Sequence, residues 1–175
     1  MKRLALVAAF LGSIVAANWM IQNVGTQPAP GSPHMLPVGF GLAAPSAVYV
    51  VGLTLVLRDV TQRKVGKPAT FALILAGSAL SALVSPTLAL ASGLAFLISE
   101  TVDFAVFTAV EPFGYLRAVA ISNAVSLVVD SFVFLTLAFG SLAFIEGQVV
   151  GKAWATLGAV TVLAAYRARR EAVTA

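Results

Sequence analysis

Runs of roughly twenty apolar residues, one after another, constrain this chain more than any other feature. They extend from Leu4 to Val24, Phe40 to Leu57, about Thr70 to Val84, Thr87 to about Val110, about Leu116 to Phe139 and about Val149 to Tyr166. Each is close to the ~20 residues a helix needs to cross a ~30 Å hydrocarbon layer. The third is short, and Pro86 marks a turn between it and the fourth. No period-two alternation suggests barrel strands, and a backbone in lipid that is not a barrel must be helical. Composition agrees: 59% of residues are hydrophobic and 10% charged, against about 25% charged in soluble domains. The expected fold is an all-α integral membrane protein, one domain over residues 1–175 with six transmembrane helices.

The connections carry the charge. Gly25 to Val38 (GTQPAPGSPHMLPV) has four prolines and no formal charge, and reads as a loop. Arg58 to Pro68 (RDVTQRKVGKP) reads as a basic connection, and Glu111 to Arg117 and Gly140 to Gln148 as short ones. Lys2, Arg3, Arg58, Arg63, Lys64, Lys67, Arg117, Arg167, Arg169 and Arg170 fall on one side, and Lys152 near the other. The positive-inside rule then puts both termini in the cytoplasm, as an even number of spans requires. A rival reading takes Met1 to Asn18 as a secretory signal cleaved after Val15-Ala16-Ala17. Against it, the apolar run continues to Val24 and removal leaves five spans.

Several function classes are disfavoured. The pI is about 9.9, but the basic residues lie at the ends of apolar runs, without the interleaved aromatics of a nucleic-acid surface. The chain has no cysteine and one histidine, His34, so neither a thiolate nor a histidine metal cluster can be built. No nucleophile with a base and no phosphate-cradling glycine loop is visible, so no enzyme chemistry and no cofactor is expected.

Ionisable groups inside a span cost about 2.5–3.5 kcal/mol each on insertion scales, so each needs a reason. Glu100 and Asp103 stand at i and i+3 in SETVDFAVF, on one helix face. They lie roughly 20–24 Å along the helix from Thr87, in the inner half of the membrane. Asn123, Ser126 and Asp130 form a similar face on the next span, which runs the opposite way and brings Asp130 to a similar depth. The simplest geometry turns both faces toward a shared cavity, flanked by Phe96, Phe104, Phe107, Phe132 and Phe134. A purely structural role, with the acids paired to Arg58, Arg117 or Lys152, is the alternative. Asp59 and Arg58 read as an interfacial pair facing water. The deep acids outnumber the one deep base, Lys152, which leaves negative charge for a ligand or proton. Small residues recur every four along the first run (Ala5, Ala9, Ser13, Ala17, beside Ala8, Gly12 and Ala16) and along the last (Gly151, Ala155, Ala159). Such ridges let helices pack closely or dock another subunit.

Four segments in order resemble one family: GLTLVLRDVTQRKVGK (Gly52–Lys67), ISETVDFAVF (Ile98–Phe107), SNAVSLVVDSFVFLTLAFG (Ser122–Gly140) and GQVVGKAW (Gly147–Trp154). Together they are similar to the VUT family of six-span bacterial inner-membrane proteins, whose best-understood members carry queuosine precursors. The resemblance implies import of a 7-deazaguanine base, the 7-cyano or 7-aminomethyl precursor of queuosine, for salvage into tRNA modification. It also implies roles for Asp59, Asp103, Asn123, Asp130 and Lys152, which match the family's motif positions; Glu100 departs from some members.

The residues suit such a ligand. A carboxylate accepts the adjacent N–H donors of a guanine-like edge, Asn123 both donates and accepts, and Phe104, Phe107, Phe132 or Trp154 can stack on a flat ring. Asp103 and Asp130 are the foremost candidates, then Asn123 and Glu100, with Lys152 as ionic partner or gate. The expected partners are the small-molecule substrate and the lipid bilayer, not nucleic acid, and a homodimer is an open arrangement. Alternatives are a carrier for a vitamin or another purine-like metabolite, a substrate-binding subunit docked on an ATP-driven energy-coupling-factor module, and a structural membrane protein without a ligand.

Overall fold

A computed structural model describes residues 2–30, 32–84 and 89–174. Six α-helices account for most of them: α1 Lys2–Asn23, α2 Val48–Val65, α3 Lys67–Val84, α4 Ala89–Val110, α5 Tyr115–Phe139 and α6 Ile145–Thr174. Four stretches are long and apolar enough to cross a membrane: Arg3–Asn23, Leu90–Phe113, Tyr115–Phe139 and Ile145–Tyr166. α3 is a shorter apolar helix. Pro86 and Thr87, expected at a turn and at the start of the fourth run, lie outside the described residues.

The second apolar run differs from expectation at both ends. Its first residues are not helical: Leu42–Pro45 (β2) pairs with Met35–Gly39 (β1), from the end of the segment expected to be a loop, as an antiparallel hairpin with Met35 opposite Pro45 and Gly39 opposite Leu42. The turn Gly39-Phe40-Gly41 has positive φ at all three residues, and Pro45 cannot lie inside a helix without breaking its ladder. At the other end α2 continues through the segment expected to be a connection, as far as Val65. Arg63 and Lys64 close it, where cations meet the negative end of the helix dipole. Gly66, at φ 103°, then turns the chain directly into α3.

The hairpin is tied across one end of the bundle. His34 N donates to Ile21 O at 3.0 Å, Ser46 N to His34 O at 2.8 Å, and Ser46 Oγ to Met20 O at 2.6 Å. Val38, Ala44 and Val48 bury together beneath it, and Trp154 Nε1 donates to Val38 O at 3.2 Å.

α2 is the axial helix and touches each of the other five. Its polar side chains at 54, 58, 61 and 62 recur at helical spacing and are buried, whereas Leu53 on its other face is exposed. Leu75, Leu94, Ile121, Val128, Phe132, Leu157 and Val162 are likewise exposed around the bundle. Polar groups inside and apolar groups outside reverse the order of a water-soluble bundle and match a hydrocarbon solvent.

Small residues let the central helices approach. A side chain at Gly52 would meet Lys152 O at 2.7 Å and Ala155 Cβ at 2.8 Å, and one at Gly151 would meet Val48. The ridge on α6 therefore packs on α2. Of the small residues on α1 only Ser13 and Ala17 are buried; Ala5, Ala8, Ala9, Gly12 and Ala16 face outward. Thr54 Oγ1 to Ser13 Oγ at 2.8 Å and Asn18 Nδ2 to Ser81 Oγ at 3.2 Å link α1 to α2 and α3.

Candidate functional site

Below the hairpin lies a cavity of about 80 Å³, with walls from α1 to α6. Ile14, Ile21, Val51, Leu55, Phe96 and Phe134 make it largely apolar, and Glu100, Asp130 and Lys152 are its ionisable lining. Lys152 spends all three ammonium donors there: to Asp130 Oδ2 at 2.6 Å, Ser131 Oγ at 2.8 Å and Gln148 Oε1 at 2.5 Å. Asp130 Oδ1 accepts from Ser99 Oγ at 3.2 Å. α4, α5 and α6 thus meet in one ion pair at the cavity wall.

Farther from the hairpin, Arg58 of α2 gathers three acids. Nε donates to Glu100 Oε2 at 3.2 Å, Nη1 to Gln62 Oε1 at 2.7 Å with Asp59 Oδ1 at 3.0 Å, and Nη2 contacts Asp103 Oδ2. Arg58, Asp59, Glu100 and Asp103 are all 0% exposed. Asn123 Nδ2 donates to Asp59 Oδ2 at 2.6 Å and Ser122 Oγ to the same oxygen at 3.3 Å. Gln62 Nε2 donates on to Thr108 Oγ1 at 2.9 Å. The Phe107 ring lies 5.7 Å from the guanidinium and meets Tyr115 edge-on at 6.0 Å. A guanidinium suits this position because its planar fork serves several carboxylates at once.

The model of the putative vitamin uptake transporter family matches residues 82–166. Over that stretch the chain is similar to this transporter family. The matched segment holds α4, α5 and most of α6, and with them Glu100, Asp103, Asn123, Asp130 and Lys152; α2 lies outside it. No curated protein and no solved structure matches the chain. The family match and the apolar helices together mark a membrane protein, and the matched family is one of transporters.

The geometry divides the candidates read from the sequence into two groups. Glu100, Asp130 and Lys152 line the cavity. Asp59, Asp103, Asn123 and Phe107 belong to the Arg58 centre beyond it. Arg58 and Asp59, expected to face water, are wholly buried because α2 runs on past them. Asp130 and Glu100 do stand at similar depth, joined through Ser99 one residue before Glu100. Phe104 faces neither centre and packs on Phe71 of α3, ring centroids 5.9 Å apart. Phe132 is exposed, and Trp154 stacks on Phe40 at the hairpin, 6.3 Å between centroids. The aromatic walls of the cavity are Phe96 and Phe134. Gln62 and Gln148 were missed as partners, and each stands four residues from the base it serves, the spacing that stacks side chains on one helix face.

Proposed function

We propose that this chain is a six-span carrier of the bacterial inner membrane that imports a 7-deazaguanine precursor of queuosine, 7-cyano- or 7-aminomethyl-7-deazaguanine, into the cytoplasm. The observation that carries the reading is the cavity itself: apolar and aromatic walls around a few convergent polar groups, the usual composition of a small-molecule site. The family match supports transport as the activity, and the motif resemblance supports the substrate class. The topology rests on charge. Arg58 and Lys152 lie inside the bundle, and the other nine of the eleven basic residues all fall on the side assigned to the cytoplasm. The cavity, at the hairpin end, then belongs to the outer half of the membrane.

Its volume is small beside the roughly 300–1,000 Å³ of drug-sized ligand sites. Helices or hairpin must therefore part to admit a flat bicycle, as alternating access requires of a carrier. The Arg58 centre closes the route on the cytoplasmic side. Phe96 and Phe134 provide ring contacts, and Glu100 and Asp130 provide the acceptors.

Calorimetric titration of the purified protein with both deazaguanines, beside guanine and a set of vitamins, tests the assignment. Saturable binding of a deazaguanine with uptake into liposomes is the expected result, and no binding of either sinks the substrate. The family's description favours a vitamin as the second reading, and the vitamin arm of the same titration decides between them. Binding without transport by the protein alone would point instead to a subunit working with an ATP-driven module.

A further inference from the structure

The cavity and the Arg58 centre share one side chain, Glu100. Its Oε2 is held by Arg58 Nε, while its Oε1 has no hydrogen-bond partner. The residue is nonetheless 0% exposed and lines the cavity. A buried carboxylate oxygen without a donor is costly, and charge-assisted donors satisfy it best. Neither base can supply one: the three donors of Lys152 are committed to Asp130, Ser131 and Gln148, and Arg58 already serves Glu100 through the other oxygen. The charge count points the same way. Two bases, Arg58 and Lys152, serve four acids, Asp59, Glu100, Asp103 and Asp130, which leaves the buried heart with two formal negative charges in excess. Among the described residues no group of three or more acids or histidines is arranged to hold a metal ion, and an organic cation can satisfy the free oxygen through a single N–H donor.

We infer that the cavity takes its ligand as a cation, a primary ammonium on a small flat body, with the ammonium donating to Glu100 Oε1 and the body lying against Phe96 and Phe134. This deepens the transporter reading and rests on it. Applied to the proposed substrates, it selects the aminomethyl precursor over the cyano one. A nitrile is an acceptor and offers Glu100 nothing. The ring edge common to both precursors cannot form a bidentate pair with Glu100 either, because Arg58 holds the second oxygen. Lys152 on Asp130 shows that the same wall already accommodates an ammonium against a carboxylate.

The test compares dissociation constants of the two precursors for the full-length protein in nanodiscs, with benzylamine and benzyl alcohol as a simpler ammonium and neutral pair. The aminomethyl compound is expected to bind at least about tenfold more tightly than the cyano compound, the scale of one charge-assisted hydrogen bond. Glu100→Gln is expected to shrink that ratio to about twofold or less while the protein stays monodisperse. Equal affinities, a preference for the nitrile, or an unchanged ratio in folded E100Q would overturn the inference and leave the precursor assignment standing. If neither precursor binds but benzylamine outcompetes benzyl alcohol, the assignment falls and the cation site stands. If neither precursor nor benzylamine binds, both fall. Should E100Q fail to fold, the wild-type ratios decide alone.

Discussion

The two charged centres of this bundle lie within one helical turn of each other along α4, yet their surroundings differ. Around Arg58 every charged side chain is fully enclosed, and each acid depends on the guanidinium or on Asn123 and Ser122 for its partners. Around Lys152 the pair opens on a cavity, and the Asp130 side chain retains 11% of its accessibility. Removing a partner from the first centre strands charge where water cannot reach; removing one from the second leaves a group that water or a ligand can serve. Charge that fastens helices is thereby separated from charge that can be exchanged.

Arg58→Met is the sharpest way to break that comparison. It leaves Asp59, Glu100 and Asp103 facing one another without a cation, and losing one member of a buried ion pair alone costs about 3–5 kcal/mol. We expect collapse of the monodisperse peak in detergent and of the thermal transition. Arg58→Lys should recover only part of the loss, because a point charge cannot reproduce the fork. An R58M protein as stable as wild type would mean that the acids are held by something other than Arg58.

Lys152→Met comes next and should be milder, about 2 kcal/mol, because Asp130 can hydrate from the cavity. Adding Asp130→Asn should return most of that stability, since an ion pair replaced as a whole is often nearly neutral. Thermal melts of the two single variants and the double variant measure this. A K152M loss as large as that of R58M would erase the distinction between the centres.

Much of this arrangement was legible in the sequence. The apolar cores of α1, α4, α5 and α6, though not the ends of α6, and the polar faces Glu100–Asp103 and Asn123–Ser126–Asp130 could be read there, because helical periodicity is a local property. α2 was legible only in part. Its charges resemble those of a connection, and nothing local indicates that Arg58 meets acids more than forty residues away. The hairpin left a usable signal in Pro45, which no helix from Phe40 to Leu57 could have accommodated in its interior. Which aromatic rings face the cavity was hidden for another reason: Phe96, Phe104 and Phe107 share one apolar helix, and only the positions of α3 and α5 decide which of them packs inward.

Asn123→Ala ranks below both bases. It removes the 2.6 Å donor to Asp59 Oδ2 but leaves Arg58 and Ser122 on that carboxylate. A loss of about 1.5 kcal/mol is expected, the scale of one hydrogen bond to a charged group. Chemical denaturation in detergent micelles would read it. A loss matching that of R58M would make Asn123, not the guanidinium, the organiser of the centre.

The smallest effects separate cavity wall from outer packing. Phe134→Leu and Phe104→Leu each replace a ring by a smaller apolar side chain and should cost about 1.5 kcal/mol or less. Their effects on ligand affinity should differ, because Phe134 lines the cavity and Phe104 packs on Phe71 at the α3 side. Loss of a ring contact is worth about 1–3 kcal/mol for a stacked base, so F134L should weaken binding roughly tenfold while F104L leaves it within about twofold. Titrating both variants with the same ligand compares them directly. If F104L weakened binding as much as F134L, the ligand would have to reach the α3 face of α4, and the cavity below the hairpin would be only part of its site.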